Sequence, residues 1–169
     1  MNRFCLRILM TAVLLGTSTV GAEPAADSPA PVLTLFDEAG KEHRILHDDW
    51  IKLPRKSISV PMANGKAATY EGVPIAEVLT RNNVPLGKDL KGPRVASYVL
   101  LKARDNYRVL LSLPEVDPST SDRVILLADK RDSAPLDAKE GPLRLIIVGD
   151  SRPVRWIKMV DSISVHRAP

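Results

Sequence analysis

GPLRLIIVGDSRPVRWIKMVDSISV, residues 141–165, holds the densest apolar run in the soluble part of the chain, Leu143 to Val148, broken only by Arg144. An apolar run of that length between Gly-Pro and Gly-Asp reads as a buried strand. Turn residues Gly149, Asp150 and Ser151 follow, then Arg152, Arg155 and Trp156, and last a β-branched run, Ile163 to Val165. The pattern predicts one central strand that delivers a basic, turn-rich loop to the edge of the fold. An unpaired buried guanidinium is costly, so Arg144 must reach a carboxylate, a set of carbonyls or a bound anion.

Outward from this stretch, the chain breaks into short elements. Val32 to Phe36 and His43 to Leu46 flank Asp37-Glu38-Ala39-Gly40, a hairpin pattern with Gly40 free to take positive φ. Asp48 or Asp49 is placed to cap a helical turn that Pro54 stops. Ser57 to Val60 alternates as a half-buried strand, and Asn64-Gly65 marks a turn. Tyr70-Glu71-Gly72-Val73-Pro74 leads into Ile75, Val78 and Leu79, spaced for one helix face with Pro74 in its first turn and Asn82-Asn83 as its stop. Val95 to Leu101 and Tyr107 to Leu111 form a second hairpin through Arg104-Asp105-Asn106, and Leu113 to Pro118 is a bend or one helical turn. Val124 to Ala128 is a further strand, with Asp129 to Ala134 as its polar exit. Roughly eight short strands and one or two short helices, with strands often consecutive, place the chain in the α+β class.

The first 22 residues stand apart. Arg3 and Arg7 precede a short apolar core, Ile8 to Leu15, and Val20-Gly21-Ala22 offers small residues at a cleavage point, the pattern of a secretory signal. That core is too short for a permanent span, so no membrane span is expected in the mature form. Glu23 to Pro31, with three prolines in nine residues, reads as a disordered tether, and a single domain is expected over 32–167. The expected location is periplasmic or secreted. Without Arg3 and Arg7 the 24 basic residues fall to 22 against 20 acidic, a balance of +2, so the pI of about 9.3 is mostly a property of the leader. Scarce aromatics and interleaved charges give no nucleic-acid surface. Cys5 is the only cysteine, so a chain cleaved before Glu23 has no disulfide, thiol nucleophile or thiolate ligand.

In order and spacing, Lys139-Glu140-Gly141-Pro142-Leu143-Arg144, Val148-Gly149-Asp150 and Arg152-Pro153-Val154-Arg155-Trp156 resemble the molybdopterin-binding domain of the sulfite oxidase family, whose motif runs His-Gly-x-Pro-Leu-Arg, an apolar strand, Pro-Gly and Arg-Ser-Val-Lys-Trp. Tyr70-Glu71-Gly72-Val73 is similar to that family's Trp-x-Gly-Val segment, and Leu126-Leu127-Ala128 with Asp132-Ser133 to its Leu-Leu-Ala and Asn-Gly. The likeness covers about Val32 to Val165 and implies the mixed-sheet sulfite oxidase fold in reduced form. It also implies a molybdenum thiolate ligand within Ser59 to Asn64, where this chain has no cysteine and Met62 reads as packing.

By the same resemblance Arg144, Arg152 and Arg155 match residues that contact the pterin and its phosphate, and Lys139 stands where the motif begins with histidine. Guanidinium forks beside a turn rich in backbone N–H groups do suit a phosphate or carboxylate. Equally, Arg144 can pair with an internal acid while Arg152 and Arg155 sit in solvent or on Trp156. His43, His47 and His166 form no ligand cluster, and no serine-hydrolase elbow or phosphate loop occurs. Trp50, Tyr98, Tyr107 and Trp156 read as packing residues, with lining of a cleft the alternative for Tyr107, and Asp105, Asp129 and Asp132 as turn residues. The expected function is an exported molybdopterin-domain-like protein without the ligating thiolate and without a resident cofactor, molybdopterin being the one the resemblance allows. It would bind a small anionic ligand or an envelope protein partner as an accessory domain. The rival expectation is a working molybdopterin-dependent oxidoreductase or a subunit of one.

Overall fold

Two five-stranded sheets share one core. The computed structural model describes residues 32–62 and 65–169; the residues read as a signal and a tether, and Asn64 of the predicted Asn64-Gly65 turn, lie outside the described residues. Hairpin β1 (Leu33–Phe36) and β2 (Glu42–Ile45) turns at Gly40, whose φ is +78°. A helical turn, α1 (His47–Trp50), leads to β3 (Lys56–Pro61) and β4 (Ala67–Pro74), then helix α2 (Ile75–Arg81). Next come hairpin β5 (Ser97–Ala103) and β6 (Arg108–Ser112) and the short α3 (Leu113–Val116), which Ser112 caps through its hydroxyl to the Glu115 N–H. The chain closes with β7 (Ile125–Arg131), β8 (Ala134–Pro135), β9 (Arg144–Ile147) and β10 (Val160–Arg167). The α+β class holds.

The first sheet runs β2-β1-β10-β5-β6, with β1 and β10 parallel, and the second runs β3-β4-β7, whose free edge takes both β8 and β9. Alternation puts Leu33, Leu35, Val99, Leu101, Leu111, Ile163 and Val165 on the inner face of the first sheet. They pack with Ile125, Leu127, Leu145 and Ile147 of the second sheet and with the Ile75, Val78, Leu79 stripe of α2. The opposite parity of the second sheet builds a smaller core from Val60, Ala68, Tyr70, Leu126, Ala128 and Ile146, roofed by Met62, Leu136, Val148 and Trp156. Arg144 is two residues from Ile146, hence on this second face, opposite the small Ala128.

Several expectations need correction. Strand β9 is not central: it pairs only with β7, and its other edge is closed by the returning chain, through Leu145 N–H to the Ile157 carbonyl at 2.8 Å and Val160 N–H to the Leu143 carbonyl at 2.9 Å. Its burial comes from that cover rather than from a second strand. Asp48 and Asp49 lie inside the α1 turn, and the cap position is Leu46, which has no side-chain bond to give. Val95 belongs to a 3-10 turn, Gly92–Ala96, because Gly92 and Pro93 start a tight turn before β5. The polar segment after Ala128 continues β7 to Arg131, so Asp129 is a strand residue; the reversal falls at Asp132-Ser133, both at positive φ (50° and 67°). Tyr107, 51% exposed, is no core residue and donates its hydroxyl to the Val154 carbonyl at 2.9 Å. The described residues hold ten strands and three short helices, more than the periodicity shows.

Gly72 has a reason to be glycine. At the irregularity between Glu71 and Gly72, β4 presses so close on β7 that a Cβ at residue 72 would stand 2.0 Å from the Leu127 carbonyl oxygen. No helix among the described residues is long and apolar enough to cross a membrane.

Candidate functional site

Where β3 ends and the turn after β9 begins, a cleft of about 400 Å³ opens on the second face of the β3-β4-β7 sheet, lined by Pro61, Met62, Arg144, Asp150, Ser151, Pro153 and Trp156. Strand parity supplies Arg144, the end of β3 supplies Pro61 and Met62, and the 149–156 loop supplies the rest. Trp156 is held by its indole N–H, which donates to the Ile147 carbonyl at 3.0 Å.

Arg144, only 7% exposed, uses one nitrogen twice: Nη1 donates to Glu140 Oε1 at 2.7 Å and to the Tyr70 hydroxyl at 3.0 Å. Its guanidinium carbon lies 5.4 Å from the centre of the Tyr70 ring, which Arg131 also approaches, at 5.8 Å. Arg131 and Lys158 reach the same Glu140 oxygen at 3.6 and 3.8 Å, so three cations share one carboxylate. Among the described residues the Nε of Arg144 is buried with no partner, and Nη2 has none either. Burial pushes the Tyr70 phenol above its usual pKa, against the opposing charge of Arg144, so Tyr70 remains a neutral donor and acceptor at neutral pH.

Arg155 is differently placed. Its Nε and Nη2 fork onto Asp150 at 3.0 and 2.6 Å, and its Nη1 donates to Glu115 at 2.9 Å. Arg123 bonds the same two acids, Asp150 at 2.9 Å and Glu115 at 3.4 Å. The hydrogen bonds to Asp150 raise the guanidinium pKa further, partly offset by burial. Two arginines and two carboxylates thus neutralise each other. Arg152 is exposed and makes no hydrogen bond or ion pair among the described residues. The Lys139 side chain is likewise exposed, and only its backbone N–H is engaged, by Asp137 at 2.9 Å. The structure brings Arg144 to the cleft wall with the 149–156 loop beside it, and leaves Lys139 outside that lining.

Residues 47–169 match the family model described as the oxidoreductase molybdopterin binding domain. The chain belongs to that family. Among curated proteins none matches it. For a molybdopterin-domain protein the metal end of the cofactor finds poor chemistry here. Pro61 and Met62 line the cleft with a proline ring and a thioether, Ser59 and Val60 before them add only a hydroxyl and an aliphatic chain to the segment, and the one cysteine of the sequence is Cys5. A neutral thioether does not replace an anionic thiolate on oxidised molybdenum. Among the described residues no group of three or more His, Cys, Asp or Glu side chains is arranged to hold a metal ion. The donor set therefore does not fit the thiolate-ligated metal that the family resemblance implies.

The predicted histidines stay apart in role: His43 meets Asp37 at 3.1 Å, while His166 bonds Ser164 at 2.7 Å and stacks on Tyr98 at 5.2 Å. Asp129, read from the sequence as a turn residue, instead joins Arg55 and the Trp50 indole N–H, the latter at 2.6 Å. Sequence reasoning missed Glu140, Asp150 and Glu115 as the partners of the arginines. Glu140 was within reach, four residues before Arg144 in the same motif. Glu115 and Arg123 join through tertiary folding alone and left no local signal.

Proposed function

We propose that this chain is an exported molybdopterin-domain protein that works as an accessory or binding domain, taking a small anion or a partner's carboxylate at the cleft beside Arg144, with Arg152 on the adjoining loop. The observation that carries the reading is the cleft wall at Pro61 and Met62: the segment assigned by resemblance to the metal-binding thiolate faces the cleft without a thiol. Export rests on the Arg3, Arg7 and Ile8 to Leu15 pattern, and places the mature chain in the periplasm or the medium. With no thiolate, no redox step is assigned to the site.

Family membership favours a second reading, a working molybdopterin oxidoreductase whose metal is held by the dithiolene and oxygen ligands alone. Metal analysis with a pterin fluorescence assay on protein taken from its native export route separates the two. Absence of both is expected; one molybdenum per chain overturns the first reading.

A further inference from the structure

The free hydrogen-bonding capacity of the cleft is not spread over its basic residues. Among the buried side chains of the lining it is concentrated on one edge of Arg144, with the exposed Ser151 beside it. Arg144 is more than nine-tenths buried, its Nη1 is taken by Glu140 and Tyr70, and its Nε and Nη2 have no partner among the described residues. These two N–H groups project side by side from a planar group, the fork that pairs bidentately with a planar carboxylate. Burial without a partner is costly for such a donor, so a ligand that supplies two acceptors in one plane offsets a penalty already present in the fold.

The charge around the fork decides which anion suits it. Asp150 lines the same cleft and is held by Arg155 and Arg123, so these two guanidiniums are already occupied by the chain's own acids, Asp150 and Glu115, while Arg152 is exposed and lies outside the lining. A phosphate entering there would have to displace a carboxylate or sit against it. A monoanion meeting only Arg144 avoids that repulsion. The remaining walls, Met62, Pro61, Pro153 and Trp156, are apolar or aromatic and suit an uncharged body.

We infer that the ligand of this cleft is a carboxylate on an apolar body, clamped by the Nε/Nη2 edge of Arg144, and that the internal pairing of Arg155 with Asp150 turns phosphate-bearing ligands away. This rests on the binding-domain reading above and names its ligand class. The experiment is a thermal-shift and calorimetric titration of the mature chain, its metal content already measured, with phenylacetate, phenylacetamide and inorganic phosphate. Saturable binding of phenylacetate is expected, with no response to the amide and at least about tenfold weaker binding of phosphate. Arg144→Lys, which keeps the charge but loses the fork, is expected to weaken the acid about tenfold or more. Ser151→Trp, at an exposed position of the cleft lining, is expected to fill the cleft and abolish binding, and decides the matter if Arg144→Lys does not fold.

The peptide Ala-Ala-Phe is run beside phenylacetate, as free acid and as amide. Tighter binding of the peptide acid assigns the carboxylate to a partner's chain end, and tighter binding of phenylacetate assigns it to a free small acid. Phosphate binding as tight as the acids, an equal response to the amides, binding unchanged in Arg144→Lys or Ser151→Trp, or no binding by any acid overturns the inference. Molybdenum in the purified protein would sink the reading beneath it whatever the acids do, so the two failures are distinguishable.

Discussion

Arg144 reaches back four residues to Glu140, Nη1 to Oε1 at 2.7 Å, and in that posture leaves its own Nε buried without a partner. The pair is satisfied on one side only. Breaking a buried pair by removing one charge strands the other, and here the two sides differ: among the described residues Arg144 has no carboxylate besides Glu140, whereas Glu140 keeps Arg131 and Lys158 at 3.6 and 3.8 Å. Glu140→Gln is therefore expected to lower stability by about 3 kcal/mol, and Arg144→Met to lower it by less, in urea unfolding. The reverse order would show that Glu140 is not the support of the arginine.

Gly72 is fixed by a contact rather than by a turn. With the Leu127 carbonyl 2.0 Å from where a Cβ would stand, Gly72→Ala must push β4 off β7. A loss of about 3 kcal/mol or more, or failure to fold, is expected from the denaturation midpoint.

Ser133 sits at φ 67° next to Asp132 at φ 50°, in the two-residue turn joining β7 to β8. Such turns favour Asn-Gly because both residues take positive φ, a conformation that strains a residue carrying a Cβ. Ser133→Gly is expected to raise stability by about 0.5 kcal/mol, the relief of strain exceeding glycine's extra entropy cost. A fall in melting temperature would contradict the turn assignment.

Asp117 gives the fold an acid dependence. Burial pushes its carboxyl upward, but backbone N–H bonds from Ser119 at 2.8 Å and Gly87 at 2.6 Å outweigh that and set its pKa below the ordinary value. A carboxyl depressed in the folded state stabilises above its unfolded pKa, and that contribution is lost as pH falls through the folded value. Asp117→Asn is expected to cost about 1–2 kcal/mol at pH 7, with the difference from wild type shrinking below about pH 4. A difference constant down to pH 2 would remove the charge from the explanation.

Much of the fold was legible because its signals are local. Alternation in residues 33–36, Gly40 at the hairpin, the Ile75, Val78, Leu79 stripe and the helix stop at Asn83 each stand within a few residues of what they specify. The apolar run at Leu143 to Val148 was read correctly as buried but wrongly as central, since burial from a returning chain and burial from a neighbouring strand leave the same composition. At the site, the sequence named the arginines and posed the right question of Arg144. It could not show that Arg155 is held by Glu115, forty residues away in sequence, or that Asp150 turns inward to meet it rather than outward.

The central claim is that a molybdopterin-domain fold whose only cysteine lies at position 5 acts without thiolate-held molybdenum. Metal and pterin content of the protein purified from its native host tests this most directly. The account expects neither molybdenum nor pterin above trace levels; one equivalent of molybdenum per chain would contradict it.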